Sequence, residues 1–412
     1  MTTSPTTAPP VTTTPGEVAT RRRRLSHPVA FAAIAAIFVA FTAASSAPSP
    51  LYVVYQQLWG FSATTLTLVF AVYVVGLVGS LLILGALSDH VGRRPVLAAA
   101  IVLEAVALVL FLNAGDVNVL LVARFLQGIA TGAALTTLGA TLVDLNPPHA
   151  PGRAGLLNSI VPPAGLAFGS LGTGALVQYA PGPTHLVWAI LLTIMVIAGV
   201  VVLLLPETST RRPGVMSSLL PKLGVPARLR KDLFALVPII VASWALGGLY
   251  LSLGPSVAVG VFGLGSHLIG GLVVTLLCGT GALAAYALRS RATSRVLTIA
   301  GALLTIGTAV TLIGMETEST LVAAIGTVLA GVGFGASSLA SFGTLAVLAA
   351  PDERGELFAV ALTIAYVAFS IPAVIAGLAA TTFGLHSTAL VYGLVVVALG
   401  GIAMIAQRAR KA

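Results

Sequence analysis

Long apolar runs alternate with short polar breaks along nearly the whole chain. Each run holds about 20 residues, the length an α-helix needs to cross the hydrocarbon core of a bilayer. Twelve can be marked, six of them at 28–47, 63–84, 95–113, 118–142, 155–178 and 186–205. The other six lie at 233–253, 267–288, 296–314, 320–347, 355–380 and 387–406. The pattern predicts an all-α membrane protein with twelve transmembrane helices. The stretch Pro48-Ser49-Pro50-Leu51-Tyr52 reads as a loop from the first span to the second. Ala43-Ala44-Ser45-Ser46-Ala47 could pass for a leader cleavage site, but a retained first helix is the preferred reading.

Charge tests the number of spans. The 412 residues are 57% hydrophobic and only 8% charged, against about 25% charged in a soluble protein, so the bilayer must be the solvent. With the N-terminus inside, the outer connections contain Asp116, Glu316 and Glu318 and no lysine or arginine. The inner ones hold Arg93, Arg94, Arg153, Arg211, Arg212, Lys222, Arg228, Arg230, Lys231, Arg289, Arg291, Arg295, Arg354, Arg408, Arg410 and Lys411. One helix more or fewer would invert this asymmetry for the rest of the chain. The net charge of +9 is thereby accounted for by cytoplasmic loops, without nucleic acid as a partner. Cys278, the single cysteine, reads as a small core residue.

The division expected is a disordered cytoplasmic tail (1–27, ending in Arg21-Arg22-Arg23-Arg24), an N-terminal six-helix bundle (28–207) and a cytoplasmic linker (208–232). A C-terminal six-helix bundle (233–406) and a cytoplasmic tail (407–412) follow. A shift of 201 residues lays Arg153-Ala-Gly-Leu156 on Arg354-Gly-Glu-Leu357 and Gly132 on Gly333, so the bundles read as pseudo-symmetric. Glycine-rich low complexity is the competing explanation.

Between the second and third spans lies Gly85-Ala-Leu87-Ser-Asp89-His-Val-Gly92-Arg93-Arg94-Pro95. It resembles the signature loop of the major facilitator superfamily, Gly-x-Leu-x-Asp-x-x-Gly-Arg-Arg/Lys, at every fixed position. Further elements resemble the same family: Arg124-x-x-Gln127-Gly128, Asp144 before Asn146-Pro147-Pro148 and Arg153-Ala-Gly, and Leu205-Pro206-Glu207-Thr208. The eighth-to-ninth connection, Ala287-Leu288-Arg289-Ser290-Arg291, lacks the acid and glycines.

The resemblance implies a conformational gate of Gly85, Asp89, Gly92, Arg93, Arg94, Asp144, Arg153 and Arg354. In it Asp89 lies against the N-terminus of the eleventh helix, near Arg354, where free N–H groups favour an anion. Arg93 pairs with Asp144. Plain loop capping is the simpler reading, and it is compatible.

Two charges stand inside the apolar spans. Glu104 in the third helix must be protonated, paired or facing water, since a buried charge there costs about 2.5–3.5 kcal/mol. Arg124 in the fourth lies at a depth that differs by roughly 5 Å, so an ion pair is within reach. They read as a proton or substrate site, or as a structural pair. The resemblance places helices one, four, seven and ten around a central cavity, with Gln127, Thr131, Asn158, Trp244, Tyr250, Ser338 and Tyr366 as candidate lining. Such a pocket, with one arginine, suits a neutral, amphiphilic or weakly anionic ligand better than a sugar phosphate or a polyanion.

The expected function is secondary active transport of a small organic molecule across the cytoplasmic membrane by alternating access, as proton-coupled efflux. Both termini would be cytoplasmic and a single chain would be the working unit. The export element of the fifth helix is incomplete: Gly165-x-x-x-Gly169-Ser170-Leu171-Gly172-Thr173-Gly174 lacks its proline. Uptake of a small metabolite is therefore the alternative, and a non-transporting sensor a remote one. The chain shows no cofactor motif, no metal-spaced His or Cys cluster, no nucleophile–base pair and no phosphate-binding Gly-x-x-x-x-Gly-Lys loop, so neither an enzyme nor a self-contained ATP-driven pump is expected.

Overall fold

The computed structural model describes residues 24–150, 152–209, 213–220, 224–350 and 353–409. Residues 1–23 of the expected tail with Arg21–Arg23, the linker residues Arg211, Arg212 and Lys222, and the terminal Arg410 and Lys411 lie outside them, and His27 of that tail already belongs to the first helix.

Twelve helices are long and apolar enough to cross a membrane. They are α1 (His27–Ser46, resumed as Pro48–Trp59), α2 (Ala63–Leu84), α3 (Arg93–Leu112), α4 (Val117–Asp144), α5 (Arg153–Tyr179) and α6 (Pro183–Leu204). The second six are α7 (Arg230–Ser252, resumed as Gly254–Gly260), α8 (His267–Leu288), α9 (Thr293–Glu316), α10 (Thr320–Leu348), α11 (Arg354–Phe383) and α12 (Leu385–Ala409). An even number of crossings puts both described ends on one face, called basal here; the opposite face is distal.

The loop expected at 48–52 is helical instead. Pro48 opens a new helix, and the missing N–H of Pro48 and Pro50 matters little in a first turn, whose donors have no partner within the helix. α7 repeats the device, breaking at Leu253 and resuming with Pro255 in its first turn.

Apolar residues form one core in each half and a third cluster between the halves. Small residues set the spacing. A Cβ on Gly128 of α4 would collide with the Tyr73 carbonyl of α2, and one on Gly132 with that of Leu77. On α10, Gly331 and Gly335 meet the α8 backbone in the same way. Gly333, the sequence counterpart of Gly132, instead faces Leu304 of α9. The structural repeat of this glycine pair therefore runs two residues longer than the sequence shift, because glycine texture fixes a helix face poorly.

The halves meet along α5–α8 and α2–α11. Large apolar side chains on α3, α6, α9 and α12 point outward, among them Val102, Leu203, Ile313 and Ile405. These four helices form the lipid-facing flanks.

Candidate functional site

The signature loop folds onto the ends of α4 and α6. Gly92 adopts φ 113° and ψ 152°, a conformation side chains rarely allow. The turn aims the first N–H groups of α3 at Glu207, just past α6. Arg93 N donates to Oε1 at 2.8 Å and Arg94 N to Oε2 at 3.2 Å. The Arg93 guanidinium then bridges two carboxylates, Asp89 Oδ1 at 2.6 Å and Asp144 Oδ2 at 3.1 Å. Thr208 Oγ1 donates to the same Asp144 oxygen at 2.9 Å. Asp89, Arg93 and Asp144 are thus one charge cluster, and Glu207 and Thr208 complete it.

The other gate candidates are placed differently. Arg94 donates to the α6 carbonyls of Val202 (3.3 Å) and Leu203. Arg153 stands over the Phe31 ring at 5.8 Å. Gly85 closes α2. The Arg354 side chain is outside the described residues, and among those described no α11 group hydrogen-bonds the Asp89 carboxylate, which is half-exposed. The C-terminal half uses other partners: Arg289 covers the Tyr286 ring at 3.8 Å, and Arg228 pairs with Glu353.

The intramembrane charges do not touch. Glu104 and Arg124 are 0% and 1% exposed, and the carboxamide of Gln127, also 0%, stands between them. Arg124 Nη1 donates to Gln127 Oε1 at 2.6 Å, and Gln127 Nε2 donates to Glu104 Oε1 at 2.9 Å. The direct pair foreseen from depth alone is replaced by this relay, because Gln127 lies one turn from Arg124 on the same face of α4.

The break in α1 serves the relay. Pro48 has no N–H for the carbonyl four residues back, Ala44. That oxygen accepts the second N–H of Gln127 at 3.1 Å instead. Arg124 also donates to Ser45 O at 3.2 Å and lies 4.1 Å from the Tyr73 ring centroid. Glu104 Oε2, Arg124 Nε and Tyr52 Oη have no hydrogen-bond partner among the described residues. The site therefore holds spare hydrogen-bonding capacity in a closed apolar setting.

Of the expected cavity residues, Gln127 and Thr131 belong to this buried network, Thr131 lying 3.4 Å from Ser45 Oγ. Tyr250 ties α7 to α10 through Thr327 at 2.8 Å. Asn158 donates to Gly139 O at 3.3 Å. Ser338 is half-buried on α10. Trp244 and Tyr366 make a T-shaped pair at 4.8 Å, joined by Phe369, which lies 5.0 Å from Phe70 of the other half. This aromatic group sits at the seam of the halves.

Distal contacts close that seam. Gln178 of α5 accepts His267 N at 3.0 Å and Ser266 Oγ at 3.2 Å, capping α8. Thr275 Oγ1 donates to Ala167 O (3.1 Å), Thr64 Oγ1 to Gly377 O (3.2 Å) and Ser49 Oγ to Leu251 O (2.7 Å). Sequence reasoning missed all five side chains. A polar residue near the distal end of a span was their only signal, and it names no partner.

The family model for the Major Facilitator Superfamily matches residues 32–373. Curated relatives match over short stretches. An MFS-type transporter, mpsC, of Macrophomina phaseolina is 29% identical over 32% of this chain and 26% of its own. The multidrug resistance protein MdtL of Citrobacter koseri is 35% identical over 20% and 21%. The chain thus spans about a quarter or less of the length of these relatives. The fold is similar to a bacterial homologue of the human lysosomal transporter Spinster, in its inward-facing, unoccupied conformation (TM-score 0.72, 13% identity, 93% and 97% of the two chains). It is also similar to the human organic anion transporter MFSD10 (TM-score 0.65, 18% identity, 92% and 100%).

Proposed function

The chain belongs to the Major Facilitator Superfamily, and from that premise we propose that it exports a small amphiphilic organic molecule across the cytoplasmic membrane by alternating access, driven by protons. The single observation that carries the reading is the asymmetry of the seam. The halves are tied at the distal face by Gln178, Thr64 and Ser49, while at the basal face the Asp89–Arg93–Asp144 cluster stays within one half. A carrier open to one side has this arrangement. With the arginine-rich basal face cytoplasmic, as the positive-inside rule directs, the state is inward-facing and both termini are inside.

The gate assigned to the loop acts in the other state. When the basal face closes, Asp89 exchanges part of its Arg93 contact for the N-terminus of α11. An amphiphilic substrate is supported by the seam aromatics Trp244, Tyr366 and Phe369. The multidrug resistance relatives support export, over the short stretch they share. Glu104 is the proposed proton carrier, its protonation sensed by Arg124 through Gln127.

Uptake remains the second reading, favoured by Ser170 standing where the export element carries proline. Flux in vesicles with a pH gradient of either sign separates the two. Accumulation against a gradient of the substrate only when protons move oppositely supports export. Co-directional movement supports uptake, and flux indifferent to pH removes proton coupling.

A further inference from the structure

We propose that the chain carries a binding site for the headgroup of an anionic phospholipid, on its lipid-facing flank between α3 and α6 at the basal face. A crevice of about 300 Å³ opens there, lined by Arg24, Arg94, Pro95, Ala98, Leu203 and Glu207. Its wall toward the bilayer is apolar and uncovered: Pro95 is exposed and Leu203 is 65% exposed. Its floor is cationic. Arg24 has no side-chain partner among the described residues, and its neighbour Leu25 is pinned to the end of α6 by a bond from its N–H to Leu204 O at 3.0 Å. Arg94 uses Nε and Nη2 on the Val202 and Leu203 carbonyls, and Nη1 has no partner among the described residues.

Glu207 sets one negative charge against the two guanidinium groups, so the lining keeps a net charge of +1. The two Glu207 oxygens are taken up by the backbone N–H groups of Arg93, Arg94, Thr208 and Ser209. Two guanidinium groups at the depth where a helix end meets headgroups, beside an apolar groove, match a phosphodiester with acyl chains below it. The site shares the Gly92–Arg94 turn with the gate cluster, so a bound lipid would buttress the turn that aims Arg93. The inference does not depend on substrate or coupling.

The test uses the purified full chain in micelles containing equal amounts of phosphatidylglycerol and phosphatidylcholine, with retained lipid read by native mass spectrometry. Wild type should retain phosphatidylglycerol preferentially. Arg24→Gln should reduce that preference roughly fivefold, the effect of one basic residue near an anionic surface. Adding Arg94→Gln should abolish it, while Arg291→Gln in the exposed α8–α9 connection should leave it unchanged. Because Arg94 also holds α6, Arg24→Gln alone decides the matter if the double variant does not fold. Equal preference in wild type and Arg24→Gln would overturn the proposal. So would displacement of phosphatidylglycerol by inorganic phosphate, which would make this a site for free anions.

Discussion

Gln178 accepts the backbone N–H of His267 at 3.0 Å, so a side chain at the end of α5 caps the first turn of α8 in the opposite half. Ser266 adds a second bond to the same oxygen. The first N–H groups of any helix lack partners within it. Here one of those donors is used to hold two bundles together on one face only.

Gln178→Ala removes both bonds. Each is worth about 0.5–1.5 kcal/mol net, so the distal-closed state should lose roughly 5- to 150-fold in relative population. A cysteine placed at Ala63, at the distal start of α2 and in a background lacking Cys278, reports this by its labelling rate with an impermeant thiol reagent added from the distal side. Faster labelling in Gln178→Ala is expected. An unchanged rate would show that the cap contributes nothing to closure.

The basal cluster should behave as one unit. Arg93→Ala leaves Asp89 and Asp144 without their shared cation, so Asp144→Ala on top of it should cost little more. A coupling energy of about 0.5–3 kcal/mol is expected between Arg93 and Asp144, as for residues in one charge network. Unfolding midpoints of the four forms of the cycle give it directly. Strict additivity would mean that the 3.1 Å contact is energetically idle.

Gln127 should matter more to stability than either charge it separates. Gln127→Ala strands the Ala44 carbonyl, a Glu104 oxygen and an Arg124 N–H in a closed apolar site. Buried groups left without partners cost about 1–3 kcal/mol each, so a loss of roughly 3 kcal/mol or more is expected in thermal or denaturant unfolding. Glu104→Gln keeps an acceptor for Gln127 Nε2 and should fold. It should abolish pH-driven transport and leave downhill exchange. Retention of pH-driven transport would take Glu104 out of the coupling account.

The twelve spans were legible because apolar length and arginine placement each report on the bilayer independently. The contact of Arg93 with Asp144 was legible only through the family resemblance, which pairs the signature loop with the inner end of α4. The Glu104–Arg124 relationship was legible only as a shared depth. Depth follows from rise per residue, whereas the interposed Gln127 depends on rotation about α4 and on the carbonyl that Pro48 frees in α1. The helical continuation past Ala47 was misread because Pro48-Ser49-Pro50 interrupts a helix and also starts one well. Gln178 and His267, on different halves, carried no local signal of their pairing.

Alternating access makes the two faces reciprocal, and that is the central claim. It is tested most directly by distance distributions from spin-label pairs across each face, Gly115 with Thr317 at the distal side and His149 with Ala292 at the basal side. In wild type the distal pair should report the closed seam. Gln178→Ala should lengthen the distal distance and shorten the basal one in the same fraction of molecules, while Asp89→Asn should deplete that fraction. A Gln178→Ala protein whose distal face opens with no change at the basal face would contradict the account.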